Sequence, residues 1–258
     1  MGTMPIPSYA SPPLTEVAVG VTLPPLKLQT RHIGEFWTEI RGEYPDTEDN
    51  PPIPIQLSTN SLEMGLLMMP PLRRVFMMTP NQEYVVQIQD GRFLHNWRKL
   101  PAEAVYPRYA TVLERFFSVW RKFSAFSIRN KLGDPSPAGY ELTYVNQLDD
   151  PTAHGIQEFF KPLDWQNQKP EFLLQPPKAT NIAWSLALPE GKGAMNVSAN
   201  RITQPDGKTA LLLVLTCVGP ASLSYSMEEW FGTAHEWIVR GFTDLTTAEA
   251  HHLWGREV

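Results

Sequence analysis

Apolar residues first alternate with polar ones and then recur at helical spacing along the first part of the chain. Apolar side chains at positions 17, 19, 21 and 23 predict a half-buried strand over residues 14–23. A helix is predicted to follow a Thr30 cap, because apolar residues recur at positions 33, 36, 37 and 40. Three short strands are predicted near residues 73–79, 83–89 and 92–98. Pro107 then favours the start of a long helix that reaches about Ile128.

The second part of the chain repeats this order of elements. A strand is predicted over residues 140–148, a helix from about Thr152, and three strands near residues 181–188, 194–203 and 208–217. Ser226 and Glu229 then have the spacing of a capping box before a last helix. We therefore predict an α+β fold of two similar strand–helix–three-strand meander–helix halves, residues 1–132 and 133–258. Their antiparallel sheet is expected to carry the helices on one face.

Composition and charge limit the function. Hydrophobic residues make up 42% and charged residues 19% of the 258 positions, which is typical of a folded protein. The formal charge of −5 argues against general nucleic-acid binding, because such binding must offset a dense phosphate charge. Residues 1–132 carry a net charge of +2 and residues 133–258 a net charge of −7. One half is therefore basic and the other acidic.

Cysteine usage and the N-terminal sequence predict a cytoplasmic protein. Cys217 is the one cysteine, so no internal disulfide can form, and its apolar surroundings favour a buried core residue. No lysine or arginine occurs before Lys27, and prolines interrupt the same segment, unlike a signal peptide. No stretch has the roughly 18 uninterrupted apolar residues of a membrane span. We expect no membrane association.

The patterns that carry chemistry are incomplete. His235 and Glu236 begin like a zinc-protease motif, but Val239 stands where the second histidine is needed. Glu249, His251 and His252 lie close together, although a metal site needs three or four converging ligands and no second cluster completes this one. We therefore predict no catalytic residues, no metal site and no cofactor.

Four basic residues recur every seven positions on the long helix of the first half: Arg108, Arg115, Lys122 and Arg129. This spacing keeps them on one slowly drifting face, while Tyr109, Leu113, Phe116, Trp120 and Phe123 are predicted to form the buried stripe. The basic face has two interpretations. It is either an ordinary solvated face, or a docking surface for an acidic partner such as the acidic half of a second copy.

The last strand of the first meander has an aromatic face. Alternation places Phe93, His95 and Trp97 on the same side of the strand. If that side is open, these residues form a partner-binding surface; if it is covered, they belong to the core. A further alternative is a small-molecule pocket between sheet and long helix, lined by Trp97, Trp120 and Trp184.

Several segments together resemble an uncharacterised, sporadically distributed bacterial protein family. The matching pieces span nearly the whole chain and are the residues 12–17, 33–36 with 44–45, 87–93 with 96–98, 106–109, 142–146 and 251–256. That family has no established activity and no assigned catalytic residues. Genes of mobile elements and defence loci show the same patchy distribution. The resemblance therefore implies that this chain is encoded in a locus of that kind.

Three functions follow from these observations as hypotheses. The leading one is a non-catalytic protein that binds another protein, or a second copy of itself, as an accessory or sensor of a bacterial defence or mobile-element locus. The second is a small-molecule-binding protein, and the third is a metal-dependent hydrolase. An exposed apolar patch would favour the first and a deep closed pocket the second.

Overall fold

The structure is a computed structural model that describes residues 5–51, 73–100, 104–149, 181–203, 207 and 209–257. It confirms the α+β class with an antiparallel sheet and helices packed on it. In chain order the described elements are β1 (Leu14–Thr22), α1 (Thr30–Ile40), β2 (Asp46–Asn50), β3 (Arg74–Met78), β4 (Tyr84–Gln89), β5 (Arg92–Arg98), α2 (Tyr109–Arg129), β6 (Gly139–Asp149), β7 (Asn181–Ala187), β8 (Ala194–Thr203), β9 (Thr209–Pro220), α3 (Met227–Leu245) and α4 (Ala248–Leu253).

The nine strands have the order β2-β3-β4-β5-β1-β6-β9-β8-β7. Both predicted meanders are present, as β3–β4–β5 and β7–β8–β9. Each predicted half also places its first strand beside the last strand of its meander, β1 next to β5 and β6 next to β9. The helix predicted from about Thr152 lies outside the described residues, so the superposition of the two halves stays a prediction.

Two local features differ from the expectations. Strand β2 was not predicted, because all five of its residues are polar and give no hydrophobic alternation. It is paired all the same, through backbone bonds that need no apolar side chain, with Asp46 opposite Met78 and Asn50 opposite Arg74. Thr30 is the first residue of α1, and Gln29 is its N-cap.

The chain forms two compact units. The first unit is Val17–Glu141, and the second unit is Met1–Glu16 with Leu142–Val258. The N-terminal segment, which the hydrophobic pattern assigns to the first half, is thus part of the second unit. Its backbone pairs there with the C-terminal segment, as in the bridge between Tyr9 and Arg256.

The core of the first unit is aromatic. Phe93 on β5 lies 4.9 Å from Phe123, 5.4 Å from Trp120 and 6.3 Å from Phe116, measured between ring centroids. Phe36 of α1 adds an edge-to-face contact at 5.3 Å from Phe123. Such ring pairs contribute roughly 0.5–1.5 kcal/mol each beyond the area they bury. The aromatic cluster therefore holds α2 and α1 on the sheet.

In the second unit α3 packs on β8 and β9. The capping box predicted for this helix is confirmed, since Glu229 N–H donates to Ser226 Oγ over 3.1 Å and Ser226 N–H donates to the Glu229 carboxylate over 2.6 Å. The helix buries Trp230, Phe231, Ala234 and Ile238. Met227 and Trp237 on the same helix are only half-buried.

The turn between β7 and β8 is fixed to the end of β9. Trp230 Nε1 donates to the Lys192 carbonyl over 2.8 Å. Gly193 has a φ of +116°, and a Cβ there would overlap the Val218 carbonyl. Gly219 is equally restricted, because a Cβ there would overlap the Lys192 carbonyl. Both positions require glycine, and the close approach gives the β7–β8 hairpin a rigid base.

Candidate protein interface

The basic stripe on α2 is partly engaged within the first unit. Arg115 Nη1 lies 2.8 Å from Glu43 Oε1, and its guanidinium group stacks 4.2 Å from the centre of the Tyr84 ring. Arg129 forms an ion pair with Glu39. Two of the four cations thus already have acidic partners on α1 and the turn that follows it.

The other two members of the stripe differ from each other. Lys122 is exposed on α2. Arg108 is exposed too, but it is the N-cap of α2 and has a φ of 73°, so it precedes the helix. The predicted buried stripe of α2 is also only partly observed, since Phe116, Trp120 and Phe123 are buried while Tyr109 and Leu113 are half-buried. The engaged ion pairs leave less free positive charge for an acidic partner than the heptad spacing suggested.

We predict that replacing Arg115 with glutamine lowers the free energy of unfolding by about 1–2 kcal/mol. A partly exposed ion pair contributes roughly 0.2–1 kcal/mol and a cation–π contact about 0.5–1 kcal/mol. Lys122→Gln is the matched control on the same helix, and its effect should stay within about 0.5 kcal/mol. Urea unfolding of both variants measures the difference. Equal stability of the two would mean that the Glu43 and Tyr84 contacts contribute nothing.

The aromatic face of β5 is closed. Phe93, His95 and Trp97 are each 0% exposed, so the core interpretation holds and these residues cannot contact a partner. The reason is α2, whose aromatic rings cover this side of the strand. The opposite side of β5 is buried as well, with Leu94 5% and Asn96 2% exposed.

His95 belongs to a buried polar cluster. Its Nε2 lies 3.0 Å from the Tyr44 hydroxyl, and its ring stacks on Tyr84 at 5.8 Å. Burial, together with the nearby Arg115 charge, lowers the pKa of His95 to about 3. Burial likewise raises the pKa of Tyr44 well above its ordinary value. Both groups are therefore neutral near pH 7, and their hydrogen bond ties the segment after α1 to the sheet.

The proposed small-molecule pocket is not formed by the tryptophans assigned to it. Trp97 is fully buried and donates from Nε1 to Glu83 over 2.9 Å. Trp120 is 7% exposed and packs against Phe93, so both residues fill the space between sheet and helix. Trp184 belongs to β7 of the second unit and is 36% exposed.

Three of the side chains considered for catalysis or metal binding are wholly or partly buried within the fold. His235 is half-buried on α3, and burial lowers its pKa to about 4. His251 Nε2 lies 2.8 Å from the Thr246 hydroxyl, which occupies one of its two nitrogens. Burial raises the pKa of the Cys217 thiol to about 12. Across the described ranges, no three histidine, cysteine, aspartate or glutamate side chains are grouped to hold a metal ion.

The two edges of the sheet, among the strands that the structure describes, have opposite chemistry. β2 has the sequence Asp-Thr-Glu-Asp-Asn and is exposed along most of its length. β7 has the sequence Asn-Ile-Ala-Trp-Ser-Leu-Ala, which contains no charge and no proline, and it is also mostly exposed. Charged side chains on an edge strand oppose pairing with another chain, and an uncharged apolar edge permits it.

Strand β7 continues the apolar face that α3 covers further inside the sheet. Its residue Trp184 is opposite Val197 and its residue Leu186 is opposite Met195, and both partners on β8 are buried. Trp184 and Leu186 themselves are 36% and 45% exposed. The sequence predicted this strand but not its edge position, which depends on the order of strands in the sheet. Its lack of charge was the one available signal.

Comparison of the chain with protein-family models and with curated proteins gives no match. The resemblance to the bacterial family stays a prediction. In the parts of the chain that the structure describes, no helix combines the length and the apolar character needed to cross a bilayer.

Proposed function

We propose that this chain is a non-catalytic protein whose task is to bind another protein chain, and that β7 is its docking element. The observation that carries the proposal is the exposed, uncharged apolar edge formed by β7. Because β7 is the last of the described strands in the sheet order, a further strand can pair along its outer side, and alternate side chains give such a contact its specificity. The acidic edge β2 lacks the apolar side chains that such a contact needs.

The rigidity of β7 supports the same role. The strand is paired with β8 over its whole length, from Asn181 opposite Asn200 to Ala187 opposite Ala194. Its turn is fixed to β9 by the Trp230 hydrogen bond and by the close approach at Gly193 and Gly219. A docking strand held in its bound conformation loses little entropy when a partner binds.

Catalysis is not favoured by the groups that the structure describes. The histidine on β5 and Cys217 are fully buried and neutral near pH 7, so neither can reach a substrate. The cellular setting that we propose, an accessory or sensor protein of a bacterial defence or mobile-element locus, is supported by the family resemblance alone. The genes beside this one would test that setting directly.

Replacing Leu186 with lysine is expected to weaken partner binding at least about tenfold, because the contact would bury an ammonium group without a partner. The full chain is used as bait in an extract of its source cells, and each captured protein is then purified and its dissociation constant measured. Leu253→Lys on α4 is the matched control, since Leu253 is 57% exposed. Equal affinity of the wild type and Leu186→Lys for every captured protein would exclude β7 as the contact.

A further inference from the structure

The sequence of β7 is nearly symmetric about Trp184. Ile182 and Leu186, both branched and apolar, lie two residues to either side, and the small residues Ala183 and Ser185 lie between them. In an antiparallel pair of identical strands related by a twofold axis, each position i meets its mirror position in the other copy, so a near-symmetric sequence brings similar side chains together. With Trp184 on the axis, Ile182 faces Leu186 of the second copy and Ala183 faces Ser185.

The backbone of β7 is aligned for the same register. Leu188 N–H donates to the Gly193 carbonyl over 2.8 Å, so these two residues form a hydrogen-bonded pair of the β7–β8 ladder. Because bonded pairs alternate along an antiparallel ladder, the backbone groups of Ile182, Trp184 and Leu186 point to β8. Those of Ala183 and Ser185 point to the outer edge. In the register centred on Trp184, the outward groups of Ala183 lie opposite the outward groups of Ser185 in the second copy.

Side-chain chemistry favours a second copy over a charged partner strand. Two Trp184 rings would meet at a position without backbone bonds between them, where cross-strand side chains are closest and aromatic pairs stabilise most. Self-pairing of β7 brings no like charges together, because the strand has none. Self-pairing of β2 about its centre would instead place Glu48 opposite Glu48 of the other copy.

We infer that this chain forms a twofold homodimer in which β7 pairs antiparallel with β7 of a second copy, with Trp184 on the axis. The inference rests on the proposed role of β7 as a docking strand, and it identifies a second copy of this chain as the partner that binds there. The contact joins the sheets of two copies through backbone hydrogen bonds and one apolar face.

Sedimentation of the full chain is the first test. The wild type is expected at twice the monomer mass of 29.2 kDa. Ser185→Pro removes an N–H that points to the outer edge, and edge strands tolerate proline at such positions, so this variant is expected to be a folded monomer. A wild-type monomer throughout the micromolar range would overturn the inference. So would a Ser185→Pro variant that stays dimeric, since the dimer would then use another surface.

Cross-linking tests the register and leaves Trp184 in place. In the proposed register Ala183 and Ser185 of different copies have Cα atoms about 5.5 Å apart, which a disulfide can bridge. A mixture of Ala183→Cys protein and Ser185→Cys protein should therefore form a covalent dimer under mild oxidation, and neither protein alone should. The native Cys217 is 0% exposed and does not interfere. Cross-linking of either variant alone, or no cross-link in the mixture, would overturn this register.

The outcomes separate the inference from the proposed function. If the wild type is monomeric but Leu186→Lys still loses a captured partner, self-pairing is wrong and the docking role of β7 stands. If Leu186→Lys changes neither the mass nor any captured protein, both are wrong. If Ser185→Pro fails to fold, Leu186→Lys and the cross-linked mixture still decide the question.

Discussion

Replacing Phe93 with alanine is expected to lower the free energy of unfolding of the first unit by about 3–5 kcal/mol. Phe93 is 0% exposed and its ring contacts three aromatic side chains of α2: Phe116, Trp120 and Phe123. Truncation removes those contacts and leaves a cavity that the rigid neighbouring rings can fill only in part. Hydrogen exchange of the β4 and β5 amides measures the loss in the unit concerned.

Ile128→Ala is the matched control for this prediction. Ile128 lies on α2 as well but is 66% exposed, so its truncation should change the stability by no more than about 0.5 kcal/mol. Unchanged stability of Phe93→Ala would contradict the buried position of this ring among the aromatic side chains of α2.

Most of the strands could be predicted because their local patterns are strong. The β4–β5 turn contains Asp90 and Gly91, and α3 begins at a capping box, so both signals lie within a few residues of the element they define. Strand β2 could not be predicted, because Asp46–Asn50 owes its conformation to backbone pairing with β3. What determines the conformation of β2 is therefore the pairing partner β3, which lies in another part of the sequence.

The candidate site was less predictable than the fold, for the same reason. Arg115 and Glu43 are 72 positions apart, and no local pattern shows that the first unit brings them together. Alternation places Phe93, His95 and Trp97 on one face of β5 but cannot say which face α2 covers. The exposure of β7 depends on its being last in the strand order, which is a property of the whole sheet.

The stability of the first unit is expected to decrease as the pH falls below about 6.5, by about 1.4 kcal/mol per pH unit for His95 alone. Burial lowers the pKa of His95 to about 3 in the folded chain, whereas the unfolded chain keeps the ordinary value of 6.5. Between these values only the unfolded chain takes up the proton, and this favours unfolding. Above pH 6.5 the His95 side chain is neutral in both the folded and the unfolded chain, so its contribution to the free energy of unfolding is fully present.

Urea unfolding of the first unit between pH 7.5 and pH 5 tests this dependence, in a range where ordinary carboxyl groups, with pKa values of about 4, remain mostly ionised. His95→Gln keeps an amide near the Tyr44 hydroxyl but has no titrating group. Its unfolding should therefore take up one proton fewer, and its free energy of unfolding should depend less steeply on pH. His235→Gln is the control, because His235 belongs to the second unit and its loss should leave the slope of the first unit unchanged. Equal slopes for His95→Gln and the wild type would show that His95 gains its proton as easily in the folded chain as in the unfolded one. Such a result would contradict the buried position between Tyr44, Tyr84 and Arg115.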